Sequence, residues 1–276
     1  MAARPAGEPM ARFASAFAVA LSLALFAHAG HAGPYTEPGH AIAAMIDWAA
    51  EVEEFDRGPM NIANPGLGDA SHGQPEAALG PAPGNDVLNV VSLGDGGSLT
   101  LFFPNGISDG AGDDFAVFEN AFFAPDGLFA ELAYVEVSSN GSDFARFDAD
   151  SLTAAPVLAF GSIDPTNIRN LAGKQPIDQG TGFDLAELAD HPLVTGAQLD
   201  LQDVAYVRIV DSVGDGSRLD ADGDPIYDPW ATPFPQSGFD VQAVGVIHVP
   251  EPGALAQLVA GASTLALLQR RKQRVG

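Results

Sequence analysis

The sequence predicts a mainly β protein: an antiparallel β-sandwich, jelly-roll-like, with one N-terminal helix and long loops. Three observations carry that expectation. Apolar and polar residues alternate over several short runs, which is the signature of half-buried strands. Glycine and proline are frequent, 31 and 21 of 276 residues, and cut the chain into short segments. Helical patterns do not alternate with the strand-like runs, so no βαβ rhythm indicates a parallel sheet.

Taken in order, HAIAAMIDWAAEVEEF (40–55) places Ile42, Met45, Ile46 and Ala49 at helical spacing and predicts the one N-terminal helix. SLTLFF (98–103) alternates, with Leu99, Leu101 and Phe103 on one face, and DFAVFE (114–119) reads as the next strand. AYVEVSS (133–139), VAYVRIVD (204–211) and VQAVGVI (241–247) complete the set. Asn140-Gly141 stands between two strand-like runs, a strong short-range hairpin signal. FDLAELAD (183–190) reads as a short second helix. There is no internal repeat, and a single domain over 30–249 fits the size range of a sandwich.

The chain has no cysteine, which removes disulfides, thiolate zinc sites and cysteine nucleophiles together. Its formal net charge is −24. Between residues 30 and 249 there are 34 acidic and 6 basic residues, a charge of about −28. A surface this acidic repels phosphate backbones, so nucleic acid is not an expected partner. It favours cation binding and solubility outside the cell.

Both ends carry sorting information. Arg4 and Arg12 precede an apolar run from Phe13 to Ala27 that ends in Ala27-His28-Ala29. This is the layout of a secretory signal peptide over 1–29, with a second cleavage option at Ala32. At the other end, Pro250-Glu251-Pro252 is followed by an apolar segment from Gly253 to Leu268 and then by Arg270, Arg271, Lys272 and Arg274. The apolar segment is short of the roughly 20 residues a membrane span needs. The order of the three parts over 250–276 resembles the PEP-CTERM sorting signal of exported proteins in Gram-negative bacteria. That resemblance implies a membrane-retained intermediate at the inner membrane, handling by an exosortase, and a destination at the cell surface or in an exopolysaccharide matrix.

A second resemblance covers most of 76–247. EAALGPAPG, VVSLGDGGSLTLFF, GAGDDFAVFEN, DPTNIRNLAGK, YVRIVDSVGDGS, DPIYDPW and GFDVQAVGVI are similar to a family of uncharacterised bacterial cell-surface proteins, which brings no activity with it. The Ala-Leu-Gly and Gly-Phe-Asp ends also resemble jelly-roll modules of the galactose-binding type, at the level of fold.

No catalytic motif is present. Neither Gly-x-Ser-x-Gly nor His-Glu-x-x-His occurs, and the histidines are scattered. The chemistry-bearing feature is DSVGDGSRLDADGDPIYD (211–228), which crowds Asp211, Asp215, Asp220, Asp222, Asp224 and Asp228 against Arg218 alone. Asp220, Asp222, Asp224 and Asp228 fall at positions 1, 3, 5 and 9 of a loop, as calcium ligands do in an EF-hand. Pro225 and Ala231 depart from that motif at positions 6 and 12, so the expectation is a calcium-like Asp loop, with a solvated acidic turn as the other reading. A second acidic group lies around one strand: Asp109, Asp113, Asp114, Glu119 and Asn120. Strand alternation separates Asp114 from Glu119, which leaves Asp109 or Asp113 at one end and Glu119 with Asn120 at the other as candidate ligands. Tyr227 and Trp230, beside the Asp loop, are candidate sugar contacts. The sequence thus points to an exported, calcium-stabilised protein with a structural or adhesive role. A carbohydrate-binding module and a secreted glycan-active enzyme are the alternatives.

Overall fold

The computed structural model describes residues 33–251, and these belong to one compact unit. The signal-peptide reading of 1–29, the cleavage option at 32, and Pro252, Arg270 and Arg271 of the sorting signal lie outside the described residues. Among the described residues no helix is long and apolar enough to cross a membrane.

The strands, in chain order, are β1 (His40–Ala41), β2 (Asp47–Trp48), β3 (Glu51–Asp56), β4 (Val91–Ser92), β5 (Ser98–Ile107), β6 (Phe115–Glu119), β7 (Phe122–Ala124), β8 (Gly127–Phe129) and β9 (Ala133–Ser138). They continue with β10 (Ala145–Arg146), β11 (Asp150–Ser151), β12 (Ile168–Arg169), β13 (Leu171–Ala172), β14 (Gln179–Phe183), β15 (Val204–Asp211), β16 (Asp215–Leu219), β17 (Pro225–Tyr227) and β18 (Asp240–Val246). One sheet runs β1-β14-β6-β18-β2, with β4 also on β18. The other runs β10-β9-β15-β5-β3, with β13 also on β9. All of these pairings are antiparallel. The main core lies between the two sheets: Leu99, Leu101 and Phe103 of β5 and Val207 and Ile209 of β15 meet Phe115 and Val117 of β6 and Val241 and Val244 of β18. The protein is therefore the antiparallel β-sandwich that the alternation predicts.

β6 and β18 are buried on both faces. Their outward residues, Ala116, Phe118 and Ala243, are covered by Met45 and Ala82 from the preceding segment. A further cluster, including Leu128, Leu132, Tyr134, Ile163 and Ile226, lies outside the other sheet under the long loops.

The helix expected over 40–55 is not formed. The segment makes β1, a 3-10 turn at Ile42–Ala44, then β2 and β3, and it crosses from one sheet to the other. The residues at helical spacing have different destinations: Ile42 and Met45 cover the outer side of β6 and β18, Ala49 packs in the main core, and Ile46 is 63% exposed. A segment that turns and changes sheets thus imitates helical spacing. Within β3 the register against β5 shifts between Val52 and Glu54, and Val52 and Phe55 both pack on the core. The second expected helix, within 183–190, is a 3-10 turn at Leu185–Leu188, capped by Asp184 accepting from Ala186 N–H at 2.9 Å. The Asn140-Gly141 hairpin does join β9 to β10. Asn140 Oδ1 accepts from the N–H groups of Ser142 and Asp143, and Gly141 takes φ of +74°, so the turn is a wider Asx-type loop.

Candidate metal centre

The Asp loop is the tip of the β16–β17 hairpin. Asp220 is buried there and fully engaged. Its Oδ1 accepts from the N–H groups of Asp222 and Asp224 at 3.1 and 2.9 Å, and its Oδ2 from Ser151 N–H at 3.0 Å. Asp215 accepts from Ser217 N–H at 2.8 Å, while Asp222 and Asp224 are exposed. Asp228 leaves the loop altogether and turns inward, accepting from Leu132 N–H at 2.8 Å and from the Ser212 hydroxyl. The 1-3-5-9 spacing therefore does not become one shared cage: backbone donors organise Asp220, and Asp228 serves a different place.

That place is a set of buried carboxylates. Glu119, Glu131, Asp228 and Asp240 come from β6, the loop before β9, the end of β17 and the start of β18, and all are at most 6% exposed. Glu119 accepts from Ala121 N–H at 2.6 Å, Glu131 from the Thr232 hydroxyl at 2.8 Å, and Asp240 from the Ser92 hydroxyl and from Asn120 Nδ2. One oxygen each of Glu119, Glu131 and Asp228 makes no hydrogen bond among the described residues. Burial, reinforced by the charge of Asp240 and then Asp228, pushes the Glu119 and Glu131 carboxyls well above the usual range. Burial and the charge of Asp211 do the same for Asp228, and burial holds Asp240 up at about 6.

Two further acids border the set. Asp211 accepts from the N–H groups of Gly96, Val213 and Phe239, and burial outweighs these donors to hold it at about 7. Its bond to Val213 fixes a β-branched residue at φ of +49°, a strained conformation. Asp95, raised by burial, accepts from Ile62 N–H and from Trp230 Nε1.

Among the described residues no Lys or Arg side chain enters this region, and the basic group that bears on it is His72, which lowers Asp240 slightly. Arg57 donates to the carbonyls of Ala70 and Gly73. Arg146 and Arg208 pair with Glu136, Arg169 with Glu187 and Lys174 with Glu37. Arg218 is exposed. Of the expected ligands, Asp211, Asp228, Glu119 and Asn120 thus converge on the buried set, whereas Asp215, Asp220, Asp222 and Asp224 stay at the hairpin. Glu131, Asp240 and Asp95 belong to the set without having been singled out from the sequence. The available signal is an acid inside an apolar run, as in LFAELAYV and GFDVQAV.

The tightest acidic grouping lies elsewhere. Asp109, Asp114 and Asp184 bring three carboxylate oxygens within 4.8 Å of one another, and among the described residues no three of the buried acids come that close. Asp114 is the most engaged of the three. Its Oδ1 accepts from Gly110 N–H at 2.7 Å and stands 2.8 Å from His248 Nδ1, and its Oδ2 accepts from Leu185 N–H at 2.7 Å. Asp184 caps the 3-10 turn through Oδ1 alone, and Asp113 stands 2.6 Å from His40. Asp114 thus ties this grouping to the backbone and to His248, while the Asp109 carboxylate and the second oxygen of Asp184 make no hydrogen bond among the described residues.

Tyr227 lines a cavity of about 340 Å³ with Ser151, Thr153 and Asp224, while Trp230 is anchored to Asp95 on the far side of Asp228 in the sequence. The chain matches no protein-family model, and a search of curated proteins finds no significant relative.

Proposed function

We propose that the protein is an exported β-sandwich, stabilised by calcium, with a structural or adhesive role at the cell surface or in an exopolysaccharide matrix. One observation carries the calcium reading: Glu119, Glu131, Asp228 and Asp240 are buried together, acids raise one another there, and among the described residues no Lys or Arg compensates them. Buried carboxylates need a proton, a basic partner or a metal ion. A hard divalent cation takes six to eight oxygens at about 2.3–2.6 Å. It would draw in the unbonded oxygens of Glu119, Glu131 and Asp228 from their wider spacing, the two glutamates having the longer and more adaptable side chains. Extracellular modules bind calcium at roughly 10⁻⁴–10⁻³ M, so such a centre suits an exported protein.

The melting temperature tests this reading. At calcium ten times its Kd the folded state gains about 1.4 kcal/mol, and the expected rise is about 3–6 °C over chelator. Magnesium at the same concentration is expected to give little, because it demands a rigid octahedron. Equal responses to the two ions would leave only ionic strength and remove the metal centre.

The sorting part of the proposal rests on the resemblance at 250–276. Replacing Arg270, Arg271, Lys272 and Arg274 with neutral residues is expected to shift tagged protein away from the inner-membrane fraction. An unchanged distribution would count against handling by an exosortase-type system.

A further inference from the structure

Outside the sandwich core, three segments build an aromatic and almost uncharged face. β7 pairs with β8 so that Phe122 stands opposite Phe129, and their rings stack at 5.1 Å. Phe129 stacks on Phe160 at 6.3 Å, and Phe160 meets Phe234 at 5.7 Å. Backbone bonds lace the segments together: Leu128 and Ile163 each donate to the other's carbonyl, and Trp230 N–H donates to Val157 O. The row is thus preorganised. Phe122, Phe160 and Phe234 are 51, 65 and 46% exposed, and Phe123 and Leu158 beside them are more exposed still.

The backbone at Phe160 is a second observation. It has φ of +60° in a turn closed by Gly161 N–H to Leu158 O at 2.7 Å. That position of a turn suits glycine or asparagine, and a bulky residue there is strained. The fold holds an exposed aromatic ring in a conformation it would not adopt by preference, a feature that clusters at binding sites.

Charge selects the occupant. Segments 122–129, 156–163 and 229–237 contain one charged residue, Asp126, in a chain of net charge −24. Two copies approaching through most other faces bring like charges together, and through this one they do not. An aromatic side chain contributes roughly 150–250 Å². At these exposures the face offers roughly 500 Å² per copy and roughly 1,000 Å² across a twofold contact, where specific interfaces begin. We propose that the Phe122–Phe129–Phe160–Phe234 row is a self-association face that joins two copies of this chain about a twofold axis.

Sedimentation velocity of the full chain tests the proposal, run both in calcium and in chelator so that its failure is distinguishable from failure of the metal centre. The wild-type chain is expected to pass from monomer to dimer as its concentration rises to about 100 µM, more completely at higher salt, which screens the repulsion between the bodies. Phe160→Gly removes the ring and suits the positive φ, so its melting temperature should hold or rise. The same variant should raise the dimer dissociation constant about tenfold or more. A wild-type chain that stays monomeric overturns the proposal. So does a Phe160→Gly chain that associates as tightly as the wild type, which would place the contact elsewhere in the molecule.

Discussion

In a chelating buffer the melting temperature is expected to fall as the pH is raised from about 5 to about 8, by on the order of 10 °C. The sign follows from the buried acids. Asp240 and Asp211 are held up at about 6 and about 7, and Glu119, Glu131 and Asp228 are also raised. Between the ordinary carboxylate range and these raised values the folded state binds more protons than the unfolded state, so unfolding releases protons and stability falls with rising pH. The stabilisation is complete below the unfolded pKa values and is lost as pH climbs through the folded ones. For Asp240 alone the loss between pH 5 and its folded value of about 6 is roughly 1.4 kcal/mol, at about 1.36 kcal/mol per unit. On the proposed calcium reading the ion replaces the protons as the neutralising charge, so in saturating calcium the slope should flatten. Contributions from elsewhere in the molecule are separated in this way, because calcium reverses only the part that the buried acids carry. A melting temperature that climbs steadily from pH 5 to pH 8 in chelator would mean that these carboxylates are ionised in the fold without penalty.

The parts of the fold that were most legible in the sequence are those where one face is dry and the other is not. In β5, Leu99, Leu101 and Phe103 face the core at every second position, and period-2 alternation reads directly as a strand. β15 alternates in the same way, while β6, β9 and β18 were placed to within a residue or two from their short apolar runs although they are buried at every position. Pattern reading failed at 40–55, where Ile42 and Met45 cover the outer side of one sheet, Ala49 packs in the main core and Ile46 is exposed. A segment that crosses between sheets takes its faces from its partner strands and has no local signature. The acidic residues divide along the same line. Crowding along the chain drew attention to Asp220, Asp222 and Asp224, but those charges are close because the chain makes them close, and Asp220 is satisfied by its own loop. The buried set gathers Glu119 and Glu131 from one stretch and Asp228 and Asp240 from another far along the chain, a distance that the antiparallel pairing of β6 with β18 closes. The exposed phenylalanines were hidden for the opposite reason: an aromatic residue in an apolar run reads as core, and nothing in the sequence says which rings remain outside.

The largest single-residue loss of stability is expected at Asp114, which binds no ion in this account. Its side chain is completely buried and joins three parts of the chain: Gly110 ahead of β6, Leu185 at the start of the 3-10 turn, and His248 just beyond β18. Its carbonyl also accepts from the N–H groups of Ile247 and His248. Asp114→Ala strands the buried Leu185 N–H and releases the Gly110 N–H and the part-exposed His248 ring, a loss of about 2–4 kcal/mol and therefore of roughly 4–16 °C in melting temperature. Asp114→Asn keeps the shape and one acceptor but turns an amide towards donors, so about half that loss is expected. Asp222→Asn, at an exposed tip, should stay within about 0.5 kcal/mol of the wild type. Urea unfolding of the three variants decides the matter through the midpoint at constant slope. If Asp114→Ala loses less than about 1 kcal/mol, the tie is not holding the end of β18. The consequence reaches the proposed sorting, because His248 stands two residues before Pro250. Where Asp114 grips His248 the sandwich ends, and the segment that resembles the sorting signal begins directly after it. Weakening that grip should make the junction more susceptible to proteolysis well below the melting temperature, which limited digestion of Asp114→Asn against wild type would show as earlier cleavage near residue 250.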